Sequence, residues 1–271
     1  NLAIFAVKNA KPIYVASAII AVVCLAAFPK INIGTDLING FKESSSVRQD
    51  FNAVNAGLEG ANTFEVVLET DIEAGFQEPG NLKVIEDLQS WFKQQPEIGG
   101  STSIVDYIKT IYKGMTGDAK NFSIPVDAMT VSQLVQIGGN EELADYANPD
   151  YQKARIIVRT TAANSSDVSA LIDRTQRYLD EKIPAHIVAR VTGNTFLVAR
   201  TMDDIATGQV WNLVTAIVII FFILSFVFSS FKYGFLAMLP NIMPVLIYFG
   251  ILGYAGVSLN VTTALIACIV I

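Results

Sequence analysis

Four runs of this sequence are apolar and free of charged residues, and they constrain its fold more than any other feature. The runs cover residues 12–28, 210–231, 235–256 and 261–271. A membrane-spanning helix needs about 20 consecutive apolar residues, so the first three runs are long enough to cross and the fourth begins another span. The three later runs make a cleaved signal peptide or a lone signal anchor an inferior explanation of residues 12–28. We therefore predict an integral membrane protein with its first transmembrane helix in residues 1–30. Residues 206–271 then hold helices two and three and the start of helix four.

The charged residues are concentrated between the first and second runs. All 25 acidic residues lie between Asp36 and Asp204, and 16 of the 19 basic residues lie between Lys30 and Arg200, which gives this block a net charge of −9. The other charged residues are Lys8, Lys11 and Lys232. Basic residues favour the cytoplasmic side of membrane helices. We therefore predict that these three lysines are cytoplasmic and that residues 31–205 form an extracytoplasmic domain.

The composition argues against several classes of function. An acidic domain has no surplus of cations to neutralise phosphates, so we predict no nucleic-acid partner. Cys24 and Cys268 both lie in apolar runs, where they provide neither a disulfide framework nor a cysteine metal site. His186, the only histidine, is expected to be an ordinary surface residue. Asp203 and Asp204 are interpreted as a solvated helix face, so we predict no enzyme, no catalytic residue, no metal site and no cofactor.

Strand and helix patterns alternate along residues 31–205. Apolar and β-branched residues predict strands at 63–70, 153–161 and 187–193, and a weaker strand near 99–103. Helical spacing of apolar residues predicts helices at 81–96 and 165–184, each ending at a proline. A further helix is predicted to begin at Ser103, which has capping-box spacing with Asp106. An apolar stripe runs along this helix, formed by Ile104, Ile108, Ile111 and Met115. Two β-α-β units in this order predict a ferredoxin-like sandwich. The predicted fold class is therefore an α+β membrane protein with an inserted ferredoxin-like (βαβ)2 domain.

Two stretches of this domain carry separate expectations. Residues 116–150 are polar and rich in glycine, with short helical pieces, and we expect them to run over the surface. From Asn194 to Ser229 no proline occurs, and Val198, Met202 and Ile205 have helical spacing. A single helix here would be about 50 Å long. It would carry movement of the domain into the bilayer.

The third apolar run contains two prolines and an amide, at Pro240, Asn241 and Pro244. Each proline frees the carbonyl one turn earlier, and in hydrocarbon that carbonyl needs an internal partner. An asparagine at membrane depth likewise indicates contact with protein or with a wet cavity. The alternative is a kinked packing helix with no role in transport. Small residues that let neighbouring helices approach closely follow on the same run, at Gly250, Gly253 and Gly256.

The end of the sequence resembles the third and fourth membrane helices of one repeat of the resistance-nodulation-division (RND) superfamily. The segment is LPNIMPVLIYFGILGYAGVSLNVTTALIACIVI. It shares Pro-Asn-x-x-Pro, a glycine-rich helix, a loop with Leu-Asn, and a threonine-rich entry at Thr262 and Thr263. An earlier segment is similar to the region after a repeat's first helix in the hydrophobe/amphiphile exporter branch, which includes MmpL-like and hopanoid-transporter-like proteins: GFKESSSVRQDFNAVNAGLEGANTFEVVLET. Two others are similar to that branch's second repeat, STSIVDYIKTIYKGM and NPDYQKARIIVRT, and the resemblance covers essentially the whole chain.

The resemblance implies a protein of two such repeats and twelve helices, with βαβ porter subdomains outside the membrane. It implies export driven by proton flux through ionisable residues on a repeat's fourth helix. The resemblance also implies that five residues belong to the helices that couple proton flux to transport, namely Pro240, Asn241, Pro244, Thr262 and Thr263. The four apolar runs contain no Asp, Glu, Lys, Arg or His. We therefore expect the relay carboxylate to follow Ile271, and we expect this sequence to be one repeat, the second, cut at both ends.

These observations lead to a functional prediction with three alternatives. The prediction is half of a proton-driven RND-type exporter in a bacterial inner membrane. Its substrates are expected to be hydrophobic or amphiphilic molecules such as lipids, hopanoid-like compounds or drugs. Its expected partners are the bilayer, the substrate, the other repeat of the same chain, and further copies in an oligomer. The alternatives are a lipid- or sterol-sensing receptor module, a Sec-type protein-export accessory protein of the same superfamily, and a membrane-anchored signalling receptor.

Overall fold

The computed structural model describes residues 9–31, 34, 38, 41–118, 121–139 and 143–269. Its helices are α1 (Ala10–Leu25), α2 (Ser46–Gly57), α3 (Pro79–Phe92), α4 (Ile104–Thr116), α5 (Ala128–Gly138), α6 (Ser165–Lys182), α7 (Asn194–Val227), α8 (Phe231–Ala255) and α9 (Val261–Ile269). Its strands are β1 (Asn62–Thr70), β2 (Ile98–Thr102), β3 (Lys153–Thr160) and β4 (Ile187–Thr192), and short 3-10 helices occur at Phe28–Lys30 and Gly75–Gln77. Lys8, the side chain of Cys268 and the last two residues of the fourth apolar run lie outside the described residues.

The chain divides into two compact units. A helical unit comprises Asn1–Thr35 and Arg200–Ile271, and an α/β unit comprises Asp36–Ala199. Among the described residues, three helical segments are long and apolar enough to cross a membrane, namely Ala10–Lys30, Asn194–Val227 and Phe231–Ala255. The predicted class is confirmed at this level, as a membrane protein with a mixed α/β unit and a small antiparallel sheet.

The longest helix follows from an uninterrupted stretch of sequence. Helix α7 contains 34 residues, from Asn194 to Val227. At 1.5 Å per residue its length is about 51 Å, which exceeds the hydrocarbon thickness of about 30 Å. The prediction of a single helix here is confirmed. The fourth apolar run forms α9, which has 9 residues in the described part of the chain.

The sheet of the α/β unit has four strands in the order β2-β3-β1-β4, and every neighbouring pair is antiparallel. Apolar and polar residues alternate along β1, so one face of the strand is buried and the other is half-exposed. The pairing register places Phe64 opposite Val158 and Val66 opposite Ile156 on the buried face. A shift of one residue would turn these side chains to solvent, and the alternation therefore specifies the register.

Two helices cover the buried face of this sheet. Helix α3 buries Leu82, Ile85, Leu88 and Phe92, and helix α6 buries Val168, Leu171, Ile172, Thr175 and Leu179. Each fully buried aliphatic or aromatic side chain stabilises the fold by about 1.5–3 kcal/mol relative to its exposed state. Both predicted apolar faces are confirmed. Helix α3 ends at Phe92, before the predicted boundary at Pro96.

The predicted capping box at the start of α4 is confirmed. Ser103 Oγ accepts a hydrogen bond from the Val105 amide, and the Asp106 carboxylate accepts one from the Ser103 amide at 2.9 Å. The same carboxylate accepts a hydrogen bond from Gln89 on α3, so the cap also joins two helices. The apolar stripe is shorter than predicted, because Met115 in the last turn is 60% exposed.

The expectation that residues 116–150 run over the surface is wrong for helix α5. Val131, Leu134 and Val135 are buried in the same core as the sheet, and Leu143 joins them. These residues recur at helical spacing within a short segment whose flanks are polar. Asp127 caps the helix by accepting a hydrogen bond from the Thr130 amide at 2.8 Å. The segment is therefore part of the core of the α/β unit.

Candidate functional site

Helix α8 continues through both of its prolines from Phe231 to Ala255. Pro240 and Pro244 have no N–H to donate to the carbonyls of Leu236 and Pro240, so the helix lacks two of its internal hydrogen bonds. Asn241 lies between them, ten residues after the start of the helix. At 1.5 Å per residue this position is about 15 Å along the helix, which is half the thickness of the hydrocarbon core. Asn241 thus lies near the middle of a 25-residue helix that is long enough to cross a membrane.

The side chains of Pro240, Asn241 and Pro244 are all exposed in this chain. In the described part of the chain, no hydrogen bond joins the Asn241 side chain to another residue. Met238 and Val245, three and four residues from Asn241, are buried, so Asn241 lies at the edge of the covered side of α8. Pro240 and Pro244 lie further round the helix. The three predicted residues therefore share an exposed face that borders the buried one, and in the described chain no other helix covers it.

Gly250 and Gly253 lie where α8 approaches α1 and the residues that follow it. A Cβ atom on Gly250 would lie 2.6 Å from Cys24 Sγ, and one on Gly253 would lie 2.5 Å from the Ala27 carbonyl oxygen. Atoms do not approach this closely without strain, so glycine is required at both positions for this helix spacing. Nearby, the Tyr254 hydroxyl donates to the Val23 carbonyl at 2.9 Å.

Gly256 has a different place from the one its spacing predicted. It is the C-cap of α8 with φ +65, and among the described residues no atom lies within 4 Å of where its Cβ would be. Glycine adopts this left-handed conformation without steric cost, which ends the helix. Gly256 therefore terminates α8, and it makes no close helix contact within the part of the chain that the structure describes.

Thr263 takes part in a local cap at the start of α9. Its Oγ1 accepts a hydrogen bond from the Asn260 amide at 2.8 Å, and its amide donates to Asn260 Oδ1 at 2.9 Å. The Tyr248 hydroxyl on α8 donates to the Thr263 carbonyl at 2.8 Å, which ties the two helices together. Thr262 is exposed, and within the described ranges its side chain has no hydrogen bond. The structure thus gives the two threonines different surroundings.

Sequence reasoning missed Asn260 and Tyr248 as contributors to this region. Asn260 and Thr263 stand three residues apart, the spacing of a reciprocal cap, and this signal was visible in the segment NVTT. Tyr248 had no such signal, because its partner is a backbone carbonyl on another helix.

Charged residues of the α/β unit form ion pairs. Glu86 on α3 is bonded to Lys109 on α4 and to Lys83 at 2.6 Å. Partial burial by itself would raise the pKa of Glu86, but hydrogen bonds from Lys109 and Lys83 outweigh it and hold that pKa below its usual range. His186 Nε2 lies 3.0 Å from Asn81 Oδ1. Over the described residues, no group of three or more His, Cys, Asp or Glu side chains is placed to hold a metal ion.

Three apolar helices of spanning length, with an α/β unit between the first and second, define a multi-pass membrane protein. The model of the MMPL family matches residues 77–271, and the chain belongs to that family. The match includes every residue of the site on α8 and α9. Members of this family are RND-type transporters of hydrophobic substrates rather than enzymes. The resemblance to MmpL-like RND proteins is therefore confirmed. No curated protein matches the sequence.

Proposed function

We propose that this chain is one repeat, the second, of a proton-driven RND-type exporter of hydrophobic or amphiphilic molecules. In this proposal the protein lies in a bacterial inner membrane, with Lys8, Lys11 and Lys232 on the cytoplasmic side. Residues 31–205 form the extracytoplasmic porter domain, which collects substrate from the outer leaflet or beyond it. The membership of the MMPL family and the three spanning helices support this function.

The topology of the α/β unit supports a ferredoxin-like porter domain. In the sequence α3 lies between β1 and β2, and α6 lies between β3 and β4, which gives two β-α-β units. The sheet order β2-β3-β1-β4 interleaves the two units, as expected for a split β-α-β sandwich. Both helices lie on the buried face, so the other face of the sheet is left for contact with solvent, substrate or another domain.

The observation that carries the proposal is the uncovered face of α8 at Pro240, Asn241 and Pro244. Each polar group left without a partner in hydrocarbon costs several kcal/mol. This face presents an amide and two carbonyls without their helical donors at mid-membrane depth. Lipid chains offer none of these groups a hydrogen bond, so the face requires contact with protein or water in the folded transporter.

The occupant of this face is the other repeat together with the proton pathway beside it. A proline-containing helix supplies a preset bend and carbonyls that can change partners as helices tilt. In this role Asn241 binds a water molecule or a carbonyl near the proton path during the transport cycle. Such a residue affects the rate of transport more than the stability of the fold.

The test is Asn241→Leu in the complete protein, with export of a lipophilic dye divided by the amount of protein in the membrane. The substitution removes no hydrogen bond within the described chain, so abundance should stay at the wild-type level. Export per molecule should fall about tenfold or more, a barrier increase of about 1.4 kcal/mol. Pro240→Ala and Pro244→Ala test the same face, and Ile251→Leu, exposed on the same helix, is the matched control.

Two results would contradict the proposal. If Asn241→Leu exports normally, or loses activity only in proportion to lost protein, the residue is part of a packing helix. If dye export persists after the proton gradient is collapsed, transport is not proton-driven. A lipid-sensing module would give no export in either condition.

A further inference from the structure

An open groove of about 800 Å³ lies at the turn between α7 and α8. Aromatic rings form much of its wall, and the three phenylalanines are 57%, 87% and 69% exposed, at Phe222, Phe226 and Phe231. The turn itself contributes Ser229 and Ser230. The groove is thus apolar along the helices and polar at the turn. An amphiphilic molecule has the same arrangement, with an apolar chain and a polar headgroup.

The start of α8 supplies polar groups at this end of the groove. Ser225 also lines the groove, but its Oγ is buried against Gly234 of α8, so this hydroxyl holds the two helices close together and is not offered to a ligand. Helix α8 begins just after Ser230, and no side chain in the described ranges caps its first amides. These donors and the partial positive charge of the helix start favour an anionic group.

Lys232 is the only charged residue between positions 205 and 271. It is exposed in the first turn of α8, directly after Phe231 of the groove. No acidic residue occurs in that part of the sequence to neutralise it. The polar end of the groove therefore carries a positive charge that no neighbour along the chain balances.

We propose that this groove binds an anionic glycerophospholipid of the surrounding membrane. The phosphate lies at Lys232, Ser229 and Ser230, and an acyl chain extends along Phe222 and Phe226. The turn joins two spanning helices, so it lies at the depth of the lipid headgroups, and the phenylalanines lie at the depth of the chains. The charge of Lys232 selects an anionic lipid over a zwitterionic one. The lipid site does not include the face at Asn241, so the test of lipid binding does not depend on the proposed transport function.

The test uses the whole chain reconstituted in phosphatidylcholine vesicles. Phe226→Trp in a Trp91→Phe, Trp211→Phe background places the only tryptophan of the chain in the groove. Quenching by brominated phosphatidylglycerol is compared with quenching by brominated phosphatidylcholine, which gives the relative binding constant of the two lipids at that site. One lysine near an anionic headgroup predicts a preference of about fivefold for phosphatidylglycerol.

Lys11 provides a matched control, because it also lies exposed in the first turn of a membrane helix, α1, without this groove. Lys232→Gln should reduce the preference to about one, Lys232→Arg should retain it, and Lys11→Gln should leave it at about fivefold. Helix content and elution volume confirm that each variant is folded.

Three outcomes would overturn the proposal. No preference in the parent protein means that the groove does not select anionic lipid. Equal losses in Lys232→Gln and Lys11→Gln indicate a general surface potential and not a site. Weak quenching by both lipids, with cross-linking between copies in a Phe226→Cys variant, shows that a second copy of the chain covers the groove.

Discussion

The close approach of Gly250 to Cys24 provides a quantitative test of how tightly α8 and α1 pack. A Cβ atom at position 250 would lie 2.6 Å from Cys24 Sγ, 2.7 Å from its Cβ and 3.0 Å from its Cα. Two of these three atoms belong to the Cys24 side chain and one to its backbone. Gly250→Ala therefore cannot be accommodated by rotation of the Cys24 side chain alone, and the helices must separate by several tenths of an ångström.

Two opposing terms determine the effect of this substitution on stability. Alanine in a helix is favoured over glycine by up to about 1 kcal/mol. Overpacking at a position of this kind costs about 1–3 kcal/mol. The control is Gly208→Ala in α7, because no atom of the described residues lies within 4 Å of its added Cβ and the helix-propensity gain is the same. The difference between the two variants isolates the packing cost, and we expect Gly250→Ala to be less stable than Gly208→Ala by about 1–3 kcal/mol.

A compensating substitution sharpens this test. Cys24→Gly removes both side-chain atoms that a Cβ on residue 250 would meet, and the nearest remaining atom is then the backbone α-carbon of residue 24, at 3.0 Å. The double variant should recover most of the packing cost, with a favourable coupling energy of about 0.5–3 kcal/mol between the two positions. Each variant is unfolded in mixed detergent micelles and monitored by circular dichroism. Equal stability of the two glycine variants, or a coupling energy of zero, would refute the close packing inferred from the structure.

Two further predictions concern the α/β unit. Leu134→Ala should destabilise the unit by about 2–5 kcal/mol because Leu134 is 2% exposed. Ile137→Ala on the same helix should change the stability by less than about 0.5 kcal/mol because Ile137 is 61% exposed. Equal effects of the two variants in urea unfolding would place α5 on the surface. The folded-state pKa of Glu86 is lowered, so its stabilising contribution is present above the unfolded pKa of about 4.3 and is lost as the pH falls through the folded value. Glu86→Gln should therefore lower the urea midpoint of unfolding at pH 7, and the midpoint should then fall less steeply between about pH 5 and 3. The exposed Glu181→Gln should change neither quantity. If the midpoint of Glu86→Gln falls as steeply as that of the parent protein, other groups cause the acid destabilisation.

The elements of the α/β unit were largely predictable because each carries a local pattern. The alternation along β1 and the helical stripe of α3 both describe one buried face, and burial is what forms these elements. Helix α5 was not recognised as core because only Val131, Leu134 and Val135 mark its face within a polar segment. A stripe of that length is compatible with a surface helix, and only its packing against the sheet distinguishes the two.

The candidate site was predictable in its residue types and only partly in its surroundings. Proline and asparagine in an apolar helix identify an unusual polar position from sequence alone. Which face of α8 is covered depends on where α1 and α9 pack, and no local pattern contains that information. Gly250 and Gly256 illustrate the limit, because the same three-residue spacing leads to close helix packing at one position and to a helix end at the other.

The position of β1 in the sheet has a consequence for how the chain is made. Strand β1 is the first of the four strands to be synthesised, but its two neighbours are β3 and β4, the last two. Until residue 192 has emerged, one edge of β1 has no strand to pair with, and its backbone N–H and carbonyl groups stay open to other strands. Pairings this distant in sequence form slowly. The sheet of the nascent α/β unit is therefore incomplete through most of its own synthesis and gains its last strand only as α7 begins. The unit is most exposed to aggregation and proteolysis in the interval between the synthesis of β1 and that of β4.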